Sequence, residues 1–178
     1  MAVQKVLRMG HPLLNQCAKA VENFNNTELS QLILDMKDTM AELKGAGLAA
    51  PQIGASVRIV IFGVEKNPRY PDVESVPETV LINPKITVLD STEEESWEGC
   101  LSIPYMRGLV PRYKSINYQG YNEKGERIER VAHDFHARVV QHEIDHLDGI
   151  LYPQRIENMQ NFGFEDEFFP QNNYKDKL

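Results

Sequence analysis

The sequence has little of what marks a secreted, membrane-bound or nucleic-acid-binding protein. It contains only two cysteines among 178 residues, too few for a disulfide-stabilised scaffold. No apolar run approaches the roughly 18 to 20 residues of a membrane-spanning helix. With 19 Lys and Arg against 26 Asp and Glu, the net charge is −7, which argues against a broad electrostatic grip on nucleic acid or anionic lipid. The N-terminal stretch MAVQKVLRMGHPLL also lacks the features of a targeting peptide, so we expect a cytoplasmic location, with no membrane partner and no direct nucleic-acid binding.

The composition is that of an ordinary folded domain, with 42% hydrophobic and 25% charged residues. We expect one domain over residues 1–178. Hydrophobic periodicity predicts an amphipathic helix over 27–43, a buried strand at VRIVIFGV, and two strands in TVLINPKITVLD separated at Asn-Pro. Two further strands around a turn at 122–125 precede a helix that Asp134 caps and Gly149 closes. The expected fold class is α+β, with mixed but mostly antiparallel strands around this last helix.

Two segments have no clear period. The stretch EKNPRYPDVESVP, residues 65–77, contains three prolines and is typical of a surface loop. The C-terminal tail mixes aromatic and acidic residues, and we expect it to pack back on the domain through its phenylalanines, which are Phe162, Phe164, Phe168 and Phe169.

The stretch QHEIDHLDG, residues 141–149, carries the first indication of chemistry. Positions four apart lie on one face of a helix, so His142 and His146 can both bind one ion. Glu143 then falls beside the ion, where a carboxylate can take a proton from water and pass it on. Two histidines leave a catalytic site one ligand short.

Three patterns could supply the third ligand. The pattern H-E-x-x-H-x-x-G-x-x-H fails, because Tyr152 stands where its last histidine belongs. A two-His, one-Glu site could use Glu165 or Glu167, which would indicate a metalloprotease. Cys100, in ESWEGCLSIP, could bind as a thiolate, because Cys with two His is also a catalytic set. A structural metal in a non-catalytic protein is a further alternative, although no fourth protein ligand is evident.

Two more segments bear on the choice. Gly99 lets the backbone pass close to a ligand, and an extended segment there would leave the Leu101 N–H free to face the site. GAGLAAPQIG, residues 45–54, is a small-residue turn that ends in Gln52, whose amide could reach a bound substrate.

Together, GAGLAAPQ, EGCLS and QHEIDHLDG resemble the three signature motifs of the peptide deformylases in order and spacing. HPLL at 11–14 and LVPR at 109–112 are also similar to that family. The resemblance implies Cys100, His142 and His146 as metal ligands. It also implies removal of the formyl group from formyl-methionyl nascent polypeptides, with release of formate.

The resemblance further implies how the residues act. Glu143 takes a proton from the attacking water and returns it to the departing amine, while Gln52 and the Leu101 N–H stabilise the negative oxygen. Ferrous iron is the first expectation for the ion, with Zn²⁺, Ni²⁺ or Co²⁺ able to substitute. Ribosome association, which in some relatives uses a basic C-terminal helix, has no support from an acidic tail that contains Glu165, Asp166 and Glu167.

The remaining predictions concern the surroundings of the ion. Phe135 and Val139 precede His142 by two turns and one turn on the same helical face and, with Ala46, are candidates for a methionine pocket. Gly47 and Gly99 complete the predicted substrate-binding set. Glu98 and Arg112 are expected to pair and to orient the cysteine loop. Outside the motifs, Cys17 is expected to be a small buried hydrophobe, and His133 and His136 to be ordinary polar residues.

Overall fold

In chain order, most strands of this protein come between its two long helices. The computed structural model describes residues 3–24, 26–64 and 75–170. The helices and strands are, in chain order, α1 (Thr27–Glu42), β1 (Gly47–Ala49), β2 (Ile59–Val64), β3 (Val76–Cys100), β4 (Ile103–Tyr121), β5 (Arg127–His133), α2 (Asp134–Leu147), β6 (Phe162–Phe164) and α3 (Glu165–Phe168). Short 3-10 turns connect some of them, at Pro12–Asn15, Ala50–Ile53, Tyr152–Arg155 and Met159–Asn161.

The strands form one sheet in the order β1-β2-β3-β4-β5, and β6 pairs with β4 on a separate branch. Every pairing of these named strands is antiparallel, so the predicted α+β class is confirmed. The long strands β3 and β4 are joined by a tight turn at Leu101 and Ser102. This turn places Cys100 and Leu101 at the tip of a rigid hairpin.

Strand β2 separates the two sides of the core, because successive side chains of a strand point to opposite faces. Ile59 and Ile61 pack in the cluster that receives α1, while Val60 and Phe62 pack in the cluster that receives α2. The VRIVIFGV run is therefore apolar at almost every position because a helix covers each face, as in other strands buried on both sides.

Helix α1 matches the predicted range closely. The Asn26 side chain caps it by accepting a hydrogen bond from the Leu29 N–H at 2.6 Å. Leu29, Ile33 and Met36 are buried on the face toward the sheet. The polar residues between them lie mostly on the outer face, as the amphipathic pattern indicates.

Helix α2 begins differently from the prediction. Its N-cap is His133, and Asp134 is the first helical residue, with a φ of +46°. Asp134 therefore does not cap the helix. The end is as expected, because Gly149 follows with a φ of +74°, a conformation that glycine adopts without steric cost. All residues from Ala137 to Leu147 are buried, including the charged ones.

The predicted separation of TVLINPKITVLD into two strands is wrong. Strand β3 continues through Asn83, where the backbone has a φ of +52° and the pairing register with β4 shifts between Ile82 and Lys85. The Asn83 side chain accepts a hydrogen bond from the Val21 N–H and donates one to the Val21 carbonyl, each at 2.9 Å. These bonds to Val21 hold the irregular position, so the Asn-Pro pair bends the strand without ending it.

The tail packs back as expected through Phe162, Phe168 and Phe169, whereas Phe164 is exposed. Most of the predicted surface loop, residues 65–74, lies outside the described residues, and β3 already begins at Val76. Among the helices of residues 3–24, 26–64 and 75–170, none has the length and apolar character needed to cross a membrane.

Candidate active site

Three potential metal ligands meet where the β3–β4 hairpin touches α2. Cys100 ends β3, and His142 and His146 lie one turn apart on α2. One ligand atom from each lies within 4.8 Å of the other two, and the Cys100 Sγ is 3.2 Å from the His146 Nε2. This donor set, one thiolate and two imidazoles, is suited to a divalent transition metal and leaves room for a non-protein ligand.

The alternative carboxylate ligands lie outside this cluster. Glu165 instead accepts a hydrogen bond from Arg107 at 2.7 Å, and Glu167 is exposed. Tyr152, at the position of the missing third histidine, is buried, and its ring stacks on His142 at a centroid distance of 6.0 Å. The geometry therefore favours the Cys-His-His set.

Glu98 fixes the orientation of His142. Its Oε2 lies 2.8 Å from the His142 Nδ1, so a proton on Nδ1 leaves the Nε2 lone pair to face the other ligands. Arg112 donates to both Glu98 oxygens, at 2.9 and 3.1 Å, and Arg138 donates to Oε1 at 2.9 Å. Burial alone would raise the pKa of Glu98, but the charge of Arg112 and the hydrogen bond to His142 hold it well below its usual value.

These contacts confirm the expected Glu98–Arg112 pair and extend its role. Besides bridging β3 and β4 next to the cysteine loop, the pair orients His142. Arg138 joins the pair, a contact that the sequence does not predict. It also donates to the Val110 carbonyl at 2.8 Å and thereby ties α2 to β4. In sequence it is simply an arginine on a helix, and the only available signal was its position one turn before His142.

Glu143 has the environment of a group that exchanges a proton near neutral pH. Its side chain is only 5% exposed, and burial raises its pKa to about 7. Its Oε2 has no hydrogen-bond partner among the described residues. A buried carboxylate with a free oxygen at a cavity wall can accept a proton from a molecule in that cavity.

Gln52 presents its amide nitrogen to the metal cluster. The Ala49 N–H donates to the Gln52 Oε1 at 2.8 Å, and since a backbone N–H can only donate, this bond defines which end of the amide is oxygen. The Gln52 Nε2 lies 3.5 Å from the Cys100 Sγ and donates to the Ser102 Oγ at 3.1 Å. The side chain is thus held from both ends with a donor directed at the site.

One cavity joins these groups to the predicted substrate-binding residues. Gln52, Cys100, Leu101, His142 and Glu143 line it. So do all five candidates for substrate contact, namely Ala46, Gly47, Gly99, Phe135 and Val139. Trp97, Arg107 and Arg138 also line it. The only signals in the sequence are that Trp97 directly precedes the EGCLS motif and that Arg138 lies one turn before His142.

Other candidates lie apart from the cluster. The expectation that Cys17 is buried is wrong, because this residue is exposed and its Sγ is 3.7 Å from the Asp148 carbonyl oxygen. His136 lies 3.3 Å from the Tyr118 hydroxyl, and His133 is exposed at the start of α2. Neither histidine joins the metal cluster, as expected.

Gly47 leaves the space that Glu143 occupies, which gives a testable prediction. A Cβ added at Gly47 would overlap the Glu143 carboxylate, with its Cδ only 2.7 Å away. Gly47→Ala should therefore displace Glu143. We expect kcat for the predicted release of formate to fall by about 100-fold, the loss that follows when a catalytic group is misplaced by about 1 Å. Bound metal, measured by plasma mass spectrometry, should be unchanged.

The double variant Gly47→Ala with Glu143→Gln is the control for this route. If Gly47→Ala acts through Glu143, it costs little further rate once Glu143 is replaced. Fully additive losses would show that the alanine acts elsewhere.

Comparisons with known proteins agree on one family. The family model described as polypeptide deformylase matches residues 3–162. Peptide deformylase 1 of Nitrosomonas europaea is 61% identical over 168 residues, which cover 94% of this chain and 96% of that protein. Peptide deformylase 2 of Ralstonia nicotianae is 53% identical, with coverage of 95% and 96% respectively.

Solved structures give the same result. A class I type b peptide deformylase of Acinetobacter baumannii, solved with bound Met-Ala-Ser, superposes with a TM-score of 0.83 at 40% identity and covers 87% of this chain and 99% of that one. Peptide deformylase from Thermotoga maritima superposes with a TM-score of 0.78 at 35% identity, covering 89% of this chain and all of that one.

Proposed function

The chain belongs to the peptide deformylase family, and from this premise we propose that Cys100, His142 and His146 hold its metal while Glu143 moves the proton. It is a metal-dependent hydrolase that removes the formyl group from N-formylmethionyl polypeptides and releases formate. The observation that carries the residue assignment is the meeting of the Cys-His-His cluster, Glu143 and Gln52 at one cavity.

The three ligands fit a resident divalent ion. The Glu98 contact leaves the His142 Nε2 free to bind, and two of the three ligands, Cys100 and His142, line the cavity. When bound, the ion supplies Lewis acidity, which makes water acidic enough to lose a proton near neutral pH. The three protein ligands among the described residues match the number found in catalytic sites, where they would leave the ion accessible to water and substrate.

Glu143 carries the proton in both directions. It takes the proton from the water that attacks the formyl carbon, and it gives it to the amine that leaves as the C–N bond breaks. A pKa raised to about 7 by burial suits both steps, because the carboxylate is then neither too weak a base nor too weak an acid at neutral pH.

Gln52 and the Leu101 N–H are the proposed donors to the oxygen that becomes negative when water adds. The contact from the Ala49 N–H directs the Gln52 Nε2 toward this position before substrate arrives, so little reorganisation is required. Donors fixed in advance stabilise the transition state more than the ground state.

Gln52→Ala tests this role. We expect kcat to fall by about 10²–10³-fold, the usual cost of losing one such donor, with metal content unchanged. Ser102→Ala removes the neighbouring acceptor of the same amide but leaves the donor in place, and is expected to cost far less. Equal losses in the two variants would indicate that Gln52 matters only for local structure.

The substrate pocket follows from the cavity walls. We propose that Ala46, Phe135 and Val139 contact the methionine side chain. Gly47 and Gly99, whose missing side chains leave space for Glu143 and Arg107, are proposed to contact the substrate through their backbone. The Acinetobacter baumannii enzyme binds Met-Ala-Ser, so formyl-Met-Ala-Ser is the matched test substrate. Formyl is the smallest acyl group, and a confined metal site accepts it more readily than acetyl.

Formate release from formyl-Met-Ala-Ser, with none of the corresponding reaction on acetyl-Met-Ala-Ser, is the expected result. Cleavage of internal peptide bonds in place of deformylation would instead support a metalloprotease.

The metal identity is a separate proposal. We propose ferrous iron as the native ion, with Zn²⁺, Ni²⁺ or Co²⁺ able to replace it, because a thiolate with two imidazoles suits each of these ions. Protein purified without oxygen should contain iron, and exposure to air should reduce iron content and activity together. Zinc content with full activity in air would contradict the iron assignment.

The proposed setting is the cytoplasm, where formylated nascent chains are the macromolecular partners. We propose neither ribosome docking through the acidic tail nor direct binding of nucleic acid, because the net charge of −7 opposes contact with phosphate backbones.

A further inference from the structure

The segment Phe162–Phe169, called here the C-terminal segment, contacts two residues that line the active-site cavity, Trp97 and Arg107. Strand β6 pairs with β4, and this register places Gly163 opposite Arg107. Arg107 also lines the cavity that holds the metal cluster. The end of the described chain is therefore attached to a strand whose side chains reach the site.

An ion pair connects the C-terminal segment to the cavity wall. Arg107 Nη2 donates to the Glu165 Oε1 at 2.7 Å, and the two side chains are only 16% and 12% exposed. Such a pair is less screened by solvent than one on an open surface, and removing one partner leaves the other charge poorly compensated.

The Arg107 guanidinium lies against the backbone of Gly99, the residue before the proposed metal ligand Cys100. A Cβ added at Gly99 would overlap the Arg107 guanidinium, with its Cζ 2.6 Å away. Gly99 is the residue before Cys100, and both line the cavity. The missing side chain at Gly99 thus makes room for the guanidinium, and Glu165 holds it there.

Aromatic contacts attach the same segment a second time. The ring of Trp97, another cavity residue, lies 4.7 Å from the ring of Phe168 and 5.4 Å from that of Phe169, measured between centroids. These contacts are independent of the ion pair, so loss of the Glu165 charge need not detach the segment.

We propose that Glu165 is a positioning residue for substrate recognition, holding the Arg107 guanidinium against Gly99 and balancing its charge at the cavity wall. Because the two charges balance, the cleft binds substrates with an acidic or a basic residue after methionine equally well. This inference rests on the proposed deformylase function. An unbalanced Arg107 attracts acidic peptides, and an unbalanced Glu165 attracts basic ones.

The test compares formyl-Met-Glu-Ser with formyl-Met-Lys-Ser. For Glu165→Gln, the ratio of kcat/KM for the glutamate peptide to that for the lysine peptide should rise about three- to ten-fold at low ionic strength, through KM and not kcat. The increase should shrink in about 0.5 M salt, where the screening length is only a few ångströms. Arg107→Gln should shift the ratio in the opposite direction, and Glu165→Asp should keep the wild-type ratio.

Glu167→Gln is the matched control, because it removes the same charge from an exposed position of the same short helix. Trp97 is the only tryptophan in the chain, so its fluorescence reports whether the C-terminal segment stays in place. An unchanged Trp97 emission with a shifted peptide ratio supports the proposal.

Two outcomes would overturn it. One is an unchanged ratio in both Glu165→Gln and Arg107→Gln. The other is an equal loss on both peptides together with a red-shifted Trp97 emission, which would mean that Glu165 serves only to attach the segment. Failure of the wild-type protein to release formate from either peptide would contradict the deformylase function itself.

Discussion

Glu143→Gln is expected to lower kcat for formate release from formyl-Met-Ala-Ser by about 10²–10⁴-fold, the range that general acid–base catalysis usually contributes. Glutamine has nearly the same shape as glutamate but cannot carry the proton. The rate should therefore fall in kcat, with KM little changed. Glu143 does not belong to the metal cluster, so the protein should retain its metal.

We expect this variant to fold. The Glu143 Oε2 has no hydrogen-bond partner among the described residues, so replacing it breaks no described bond there. Glu157→Gln, the same change at an exposed position, is the control. Stopped-time assays of formate, with metal content and thermal unfolding measured on the same samples, separate catalysis from stability. Activity within a few-fold of wild type would remove Glu143 from the proton transfer.

Cys100→Ser is expected to release the metal and abolish turnover. A serine hydroxyl remains protonated near neutral pH, whereas a metal-binding cysteine is present as thiolate, so the variant loses an anionic ligand. The loss of metal affinity should exceed the roughly 10–100-fold that follows loss of an outer hydrogen-bond partner. Competition with a chelator of known affinity measures it directly.

Cys17→Ser is a closely matched control, because the chain has one other cysteine and the structure places it in an exposed position. It should keep full metal content and activity. If Cys100→Ser retained both while Glu165→Gln lost the metal, the third ligand would be the carboxylate, and the protease-type set would be correct. The ion pair of Glu165 with Arg107 argues for the opposite result.

Local sequence rules predicted several elements correctly. The range of α1 follows from hydrophobic spacing, and the structure adds Asn26 as its N-cap. The pairing of His142 and His146 on one side of α2 follows from the helical period. The prediction that Asp134 caps α2 is wrong. The chain enters α2 directly from β5, and His133, the last residue of β5, takes the N-cap position.

Local sequence rules do not predict the burial of the polar residues of α2. Arg138, Gln141, Glu143 and Asp145 have the composition of a solvated helix face, yet all are buried. Each of the arginine, the glutamine and the aspartate has hydrogen-bond partners in the surrounding elements. The sequence shows that these residues are polar, but it does not show which distant groups form hydrogen bonds with them. A reading of the sequence alone therefore places them on the surface.

The sequence by itself determined the chemistry that depends on neighbouring residues: two imidazoles and a carboxylate at helical spacing, and, through three recognisable motifs, the family and its reaction. Only the tertiary structure decided that Glu98 orients His142, that Arg138 joins this contact, and that Arg107 lies between Gly99 and Glu165. The physical reason is the range of the interactions. Backbone geometry repeats over a few residues and leaves a periodic signal in the chain, whereas contacts between distant residues arise from packing, which leaves no such signal.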